Sequence, residues 1–310
     1  MKDRPFLGIT LMVLATFVFA VQDGFSRHLA GEYNTMMVVM VRYWFFAAFV
    51  IVWAASRPGG LRATARTDRP VLQFGRGVLL AVEIIVAVKG FTLIGLVDSH
   101  AIFAAYPLMV MAMSGPMLGE VIGWRRWAAV AVGFVGVLII LSPGGEPRGW
   151  AHLIPVVSAI MFAFYTVLTR LASRTDSSKT SFFYTGIGGA TVMTVMGLAY
   201  LEPMSRADQG WMLALCISGV LGHFLLIKAL ELAEASTLQP FTYLHLVFAS
   251  VLGVLVFQEF LRLNTMVGAG LVIATGLFAI WRQAVASRSA HKAANAVHQA
   301  GIVREAQADR

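Results

Sequence analysis

Charge is what this chain has least of. Charged residues are 13% of the 310 and hydrophobic ones 58%, with mean hydropathy +0.75, against roughly 25% charged and 45–50% apolar in soluble domains. A water-soluble fold of this length is excluded, because the polar residues are too few to cover that much apolar side chain. Cysteine is nearly absent. Cys216 stands alone inside an apolar run, so there is no disulfide framework and no Cys-x-x-Cys redox or metal pair. Catalytic signatures are missing too: no Walker-type phosphate loop, no Gly-x-Ser-x-Gly and no His-Glu-x-x-His. The chain therefore has no machinery of its own for nucleotide hydrolysis, and we expect neither an enzyme nor a cofactor or metal protein. Its net charge of +8 does not mark a nucleic-acid binder, since the basic residues sit in short loops between apolar runs rather than on one solvated face.

Present instead are apolar runs of about 20 residues, the length that crosses a bilayer. Breakers such as Arg57-Pro58-Gly59-Gly60, Ser142-Pro143-Gly144-Gly145 and Glu202-Pro203 divide them. The pattern predicts an all-α membrane protein of ten transmembrane helices: 5–27, 35–55, 71–95, 99–119 and 127–142, then 150–171, 180–200, 209–231, 235–257 and 264–283. Asp98-Ser99 reads as the N-cap of the fourth. Lysine and arginine fall sixteen to four between the two sets of alternate loops, with Arg27, Arg148, Arg206 and Arg262 alone on the poorer side. Short basic loops resist translocation, so both termini are expected in the cytoplasm and the chain in the inner membrane.

The second half repeats the first. Phe19-Ala20 and Ser26-Arg27 match Phe162-Ala163 and Thr169-Arg170 at an offset of 143, and Lys89, Leu93 and Glu120 match Lys228, Leu232 and Glu259 at 139. The first helix, which resembles a cleavable signal peptide from Lys2 to Ala20, is by this repeat expected to be a mature span. The expected units are 1–145 and 146–283, with a basic cytoplasmic tail over 284–310. An odd number of spans per unit inverts the second against the first, an architecture of secondary carriers that bind cargo near the midplane and expose it to each side in turn.

Each unit closes on a related pattern: Ser99 to Glu120 with Tyr106-Pro107 and Gly119-Glu120, then Gly133 and Gly136; and Ser236 to Glu259 with Gln239-Pro240, then Gly268, Gly270 and Gly276. Over roughly 5–283 the chain resembles the EamA units of the drug/metabolite transporter superfamily, of the aromatic amino acid exporter type. The resemblance implies a ten-helix carrier whose helices one, three, four, six, eight and nine surround a central cavity. It implies cargo among amino acids, nucleotides, riboflavin or drugs.

Ionisable groups inside spans are costly, about 2.5–3.5 kcal/mol each on insertion scales, and so mark candidate sites. Glu83, mid-helix, is either the partner of Arg76 or Arg42 or a site for a substrate amine or a proton. Lys89 and Lys228, at equivalent places, either snorkel to the interface or bind a carboxylate. Asp23 and Gln22 read as the outer rim of the first helix. His223, Tyr243 and His245 can hydrogen-bond across helices. Tyr106, Phe162 and Tyr165 either pack plainly or form an aromatic cage, and Pro107, whose counterpart is Leu246, is a one-sided hinge. Glu120 and Glu259 are expected to fix helix ends. Together these residues suit export of amino acids, aromatic ones included, with lipid and protons as partners and the monomer as the working unit. Alternatives are a carrier of nucleosides, riboflavin or drugs and, from another class, a membrane sensor or intramembrane enzyme.

The charge bias makes a direct prediction. In a Cys216→Ala background, single cysteines at Arg62 and Arg174 should resist impermeant thiol reagents in intact cells, whereas one at Arg206 should label readily. Strong labelling at position 62 would reverse the orientation.

Overall fold

The computed structural model describes residues 5–119, 123–141, 149–172, 174–232 and 241–279, with isolated residues beyond them. Its elements are α1 (Pro5–Glu32), α2 (Thr35–Ala55), the short α3 (Gly60–Ala65), α4 (Pro70–Phe103), α5 (Tyr106–Leu118), α6 (Trp124–Leu141), α7 (Ile154–Ala172), α8 (Ser178–Gly197), α9 (Arg206–Leu232), α10 (Leu244–Phe257) and α11 (Leu263–Ala279). Among the described residues there is no strand. That is what a bilayer demands of a chain that does not close a barrel, because backbone groups facing lipid must be paired within their own segment. Each of the ten predicted apolar runs coincides with described helix. Six are long and apolar enough to cross a membrane, and α6, α10 and α11 are shorter apolar helices. The outer surface matches: Phe6, Val52, Val195, Leu255 and Leu138 are all more than 60% exposed, which is favourable against lipid tails and costly against water.

Local signals set the ends. Asn34 caps α2 by accepting from the Met36 amide at 2.9 Å, and Ser177 caps α8 through the Thr180 amide at 3.2 Å. The interior is interleaved, with α1 against α9 and α10 and α4 against α7 and α8. Apolar surface gains little by leaving lipid for protein, so close approach of backbones is what holds such helices together. The α6 and α11 pair shows it: a Cβ on Gly136 would lie 2.9 Å from the Gly268 carbonyl oxygen, and one on Gly268 2.5 Å from that of Gly136. Gly119 turns left-handed (φ 71°) and ends α5.

The third and fourth predicted helices meet differently from the sequence expectation. The break is at Gly95 (φ 85°, ψ 173°), not at Asp98-Ser99. Asp98 caps nothing there: it is buried and accepts from the Thr265 hydroxyl at 2.7 Å. The amides freed by the break, those of Leu96 and Val97, each donate to a carboxylate oxygen of Glu259 at 2.8 Å. Arg27 pairs with the same carboxylate and lies over the Phe257 ring, 4.1 Å from its centroid. Glu259 thus ends one helix and starts another. Glu120, the two residues Gln239-Pro240 and the tail over 284–310 lie outside the described residues.

Only glycine adopts the Gly95 conformation readily, and a Cβ there would meet the Glu259 carboxyl group at 2.7 Å. Gly95→Ala should therefore destabilise the protein by about 1–3 kcal/mol. Gly75→Ala, in the same helix with nothing within 4 Å of the new methyl, should be neutral or stabilising. Thermal melts of both variants in one detergent check the contrast.

Candidate functional site

A cavity of about 200 Å³ lies among α1, α2, α4, α5, α7, α9 and α10. One wall is aromatic. Tyr106 meets Phe162 edge-on at 5.0 Å, Phe103 lies 5.1 Å from Tyr106 and 5.4 Å from Phe162, and Tyr165 continues the row 5.8 Å beyond Phe162. Phe162 and Tyr165 stand one turn apart on α7, while α4 ends at Phe103 so that the chain corner at Ala104-Ala105 turns Tyr106 inward. Pro107 occupies the first turn of α5, where its missing N–H costs nothing. It borders a smaller recess beside the cavity together with Tyr243, which is buried.

Polar groups share the lining, beginning one turn before Phe162 on α7 at Ser158. Glu83 is buried, and its Oε1 accepts from the Ser158 hydroxyl at 2.6 Å. No ion pair joins it to Arg76 or Arg42 among the described residues. Arg42 lines the cavity. Arg76, 1% exposed, spends its guanidinium elsewhere, donating to Tyr165 Oη (3.0 Å), Thr169 Oγ1 (3.2 Å), Gln73 Oε1 (3.0 Å) and the Ser181 carbonyl (2.5 Å). Gln73 in turn donates to Asp176 at 2.8 Å. Of the two readings of Glu83, the ion pair with Arg76 or Arg42 is not seen among the described residues, and Ser158 is its observed partner.

Of the other expected residues, Tyr106, Phe162, Tyr165 and His223 line the cavity. His223 stacks on Phe46 at 5.6 Å and meets Phe19 edge-on at 5.2 Å. Lys89 and Lys228 do not line it: Lys89 is exposed and Lys228 half-buried. Helical phase accounts for Lys89. At about 100° per residue from Glu83 on α4, the lining residues Ala87, Leu80, Phe91, Ile84 and Val88 fall between about 40° and about 140° in one sense, while Lys89 falls about 120° away in the other. The lysines' expected role at the cavity wall is not supported by this placement.

Asp23 and Gln22 are corrected in the other direction. The first helix runs on to Glu32, past the expected end at 27, so both stand well inside it and line the cavity rather than a rim. Asp23 Oδ2 lies 2.9 Å from His245 Nε2 and 3.1 Å from His100 Nε2. His100 was not anticipated. Its signal was a histidine within an otherwise apolar run, hidden because Asp98-Ser99 just before it read as a loop.

The two buried polar groups should respond differently to replacement. Glu83→Gln keeps an acceptor for Ser158 and strands no cation, so the melting temperature should hold. Arg76→Met leaves four acceptors without their donor, at about 1–3 kcal/mol for each one that stays buried and unpaired, and should lower the melting temperature clearly. Parallel melts of the two purified variants test this.

Comparison with known proteins shows the family. The EamA-like transporter family model matches the chain twice, over residues 6–142 and 149–281. An S-adenosylmethionine uptake transporter of Rickettsia prowazekii is 26% identical over 285 residues, covering 92% of this chain and 96% of that protein. A riboflavin transporter of Vibrio cholerae is 26% identical over 290 residues, covering 89% and 94%. A solved crystal structure at 15% identity superposes with a TM-score of 0.59 over 87% of this chain and 94% of that one, a likeness of fold. Neither named relative carries an amino-acid exporter's description. With the multi-pass apolar helices, the two matched segments make this chain a member of the EamA-like transporter family.

Proposed function

We propose that the protein is a secondary carrier for an organic metabolite with a flat heteroaromatic ring and a cationic group, the chemistry of S-adenosylmethionine. We place it in a bacterial inner membrane, with cargo exposed to each side in turn. The observation that carries this reading is the pairing, in one cavity, of an aromatic wall (Phe103, Tyr106, Phe162, Tyr165) with the carboxylates of Asp23 and Glu83. Flat rings stack or pack edge-on against such a wall. With both carboxylates ionised and histidines neutral, the described lining holds two negative groups against the single positive Arg42, an imbalance that a cargo of net charge +1 offsets. Glu83 suits the cationic end, because its one observed partner, Ser158, leaves its second oxygen available.

The expectation of amino-acid export gives way here. The lysines assigned to a cargo carboxylate lie outside the cavity lining, which leaves Arg42 as the cation for such a group, including the carboxylate of S-adenosylmethionine. The relatives are described as carriers of S-adenosylmethionine and riboflavin. A riboflavin-like cargo is the second reading. It is favoured by the same aromatic wall, and it leaves the carboxylates without a cationic partner.

Counterflow into proteoliposomes made from the pure protein tests the proposal. With unlabelled S-adenosylmethionine inside, labelled S-adenosylmethionine should accumulate, with competition by excess unlabelled compound and none by phenylalanine. Glu83→Gln should weaken apparent affinity about tenfold or more, as expected for losing a charge-assisted contact worth about 1.5–3 kcal/mol. Accumulation of riboflavin alone would establish the second reading. Accumulation of phenylalanine alone would defeat both.

A further inference from the structure

Where Asp23, His100 and His245 meet, three helices bring three metal-ligating groups to one point of the cavity wall: α1, α4 and α10. We propose that they form a binding site for a divalent transition-metal ion of the zinc class, and that the bound ion fastens the two matched segments of the chain together. This goes beyond the carrier reading and does not depend on the identity of the cargo.

The ligand atoms, Asp23 Oδ2 and the two Nε2 nitrogens, all lie within 4.8 Å of one another, with two of the edges at 2.9 and 3.1 Å. Tetrahedral zinc with bonds of about 2.0–2.2 Å sets its ligands about 3.3 Å apart, so small side-chain shifts suffice. Two imidazoles and a carboxylate suit zinc, cobalt, nickel or copper, whereas magnesium and calcium take oxygen ligands.

The two imidazoles meet the carboxylate through the nitrogen atoms that would bind an ion. His245 Nε2 is hydrogen-bonded to Asp23 at 2.9 Å. His100, 4% exposed, has its Nε2 3.1 Å from the same oxygen, at ion-pair distance but outside good hydrogen-bond geometry, so both imidazoles converge on one carboxylate oxygen. Phe91 stacks on the His100 ring at 5.1 Å and 23°, fixing its plane. Sequence spacing gave no sign of a metal site, because its ligands are distant in the chain.

Asp23 and His100 belong to the first matched segment and His245 to the second. An ion bound to all three therefore resists any movement of one segment against the other. Three protein ligands leave a fourth position for water, and the ion's charge reverses the negative excess of the lining, so the bound ion opposes a cationic cargo as well as movement.

The test uses the full-length protein, tag-free, in a Cys216→Ala background. Cobalt titration should give the visible bands of a low-coordinate ion, and zinc should raise the melting temperature and slow counterflow, with chelator reversing both. His100→Ala and His245→Ala should each weaken cobalt affinity at least about tenfold. His245→Cys, which supplies another ligand, should retain binding and so separate a lost ligand from a misfolded protein. Absence of bands and of any melting shift in the wild type would overturn the proposal. So would responses that persist in the His100→Ala/His245→Ala double variant, which would mark an adventitious ion only, held for example near His28 or His152. Because cobalt bands and melting are read without transport, they stand or fall separately from the proposed cargo.

Discussion

A helix that breaks inside a membrane exposes backbone amides where there is no water to receive them, and the fold depends on how that is settled at Gly95. Glu259, from the far end of the chain, receives the Leu96 and Val97 amides, while Arg27 holds the same carboxylate. A carboxylate at a helix N-terminus is favoured both by hydrogen bonding and by the helix dipole. The arrangement lets α4 change direction, and the segment beyond the break carries Ser99, His100 and Phe103 into the cavity wall. Without the break, an unbroken α4 would carry these side chains elsewhere.

The cavity is consequently built from rigid parts. Its aromatic wall is tied at one end to the Arg76 network through Tyr165, and that network reaches Asp176 by way of Gln73. Its polar lining rests on Ser158 and Glu83 from α7 and α4. Both ties join residues of the first matched segment to residues of the second. Any rearrangement that exposes cargo to the other side must therefore break or rotate about contacts of this kind, each individually modest in energy.

The helices were legible in the sequence because a bilayer demands about 20 apolar residues at a time, a pattern that no tertiary contact overrides. The site was legible where chemistry was conspicuous, as with Glu83 in mid-span and the aromatic row from Tyr106 to Tyr165. It was not legible where placement turned on a few degrees or a few residues. Lys89 lies on the wrong flank of α4 by helical phase. Asp23 looked like a rim because α1 was ended too early, and Gly95 gave no distinctive signal, since glycine is common in membrane helices. The meeting of Asp23, His100 and His245 spans more than 220 residues of chain, and no local spacing rule reaches that far.

The central claim is that cargo binds between the aromatic row and the Glu83 carboxylate. The most direct measurement is an experimental structure of the protein in lipid with S-adenosylmethionine bound. The account predicts the adenine ring against Phe103, Tyr106, Phe162 or Tyr165, with the sulfonium or ammonium group within contact of Glu83. Cargo bound outside this cavity, or seated in it with its cationic groups turned toward Arg42, would contradict the account.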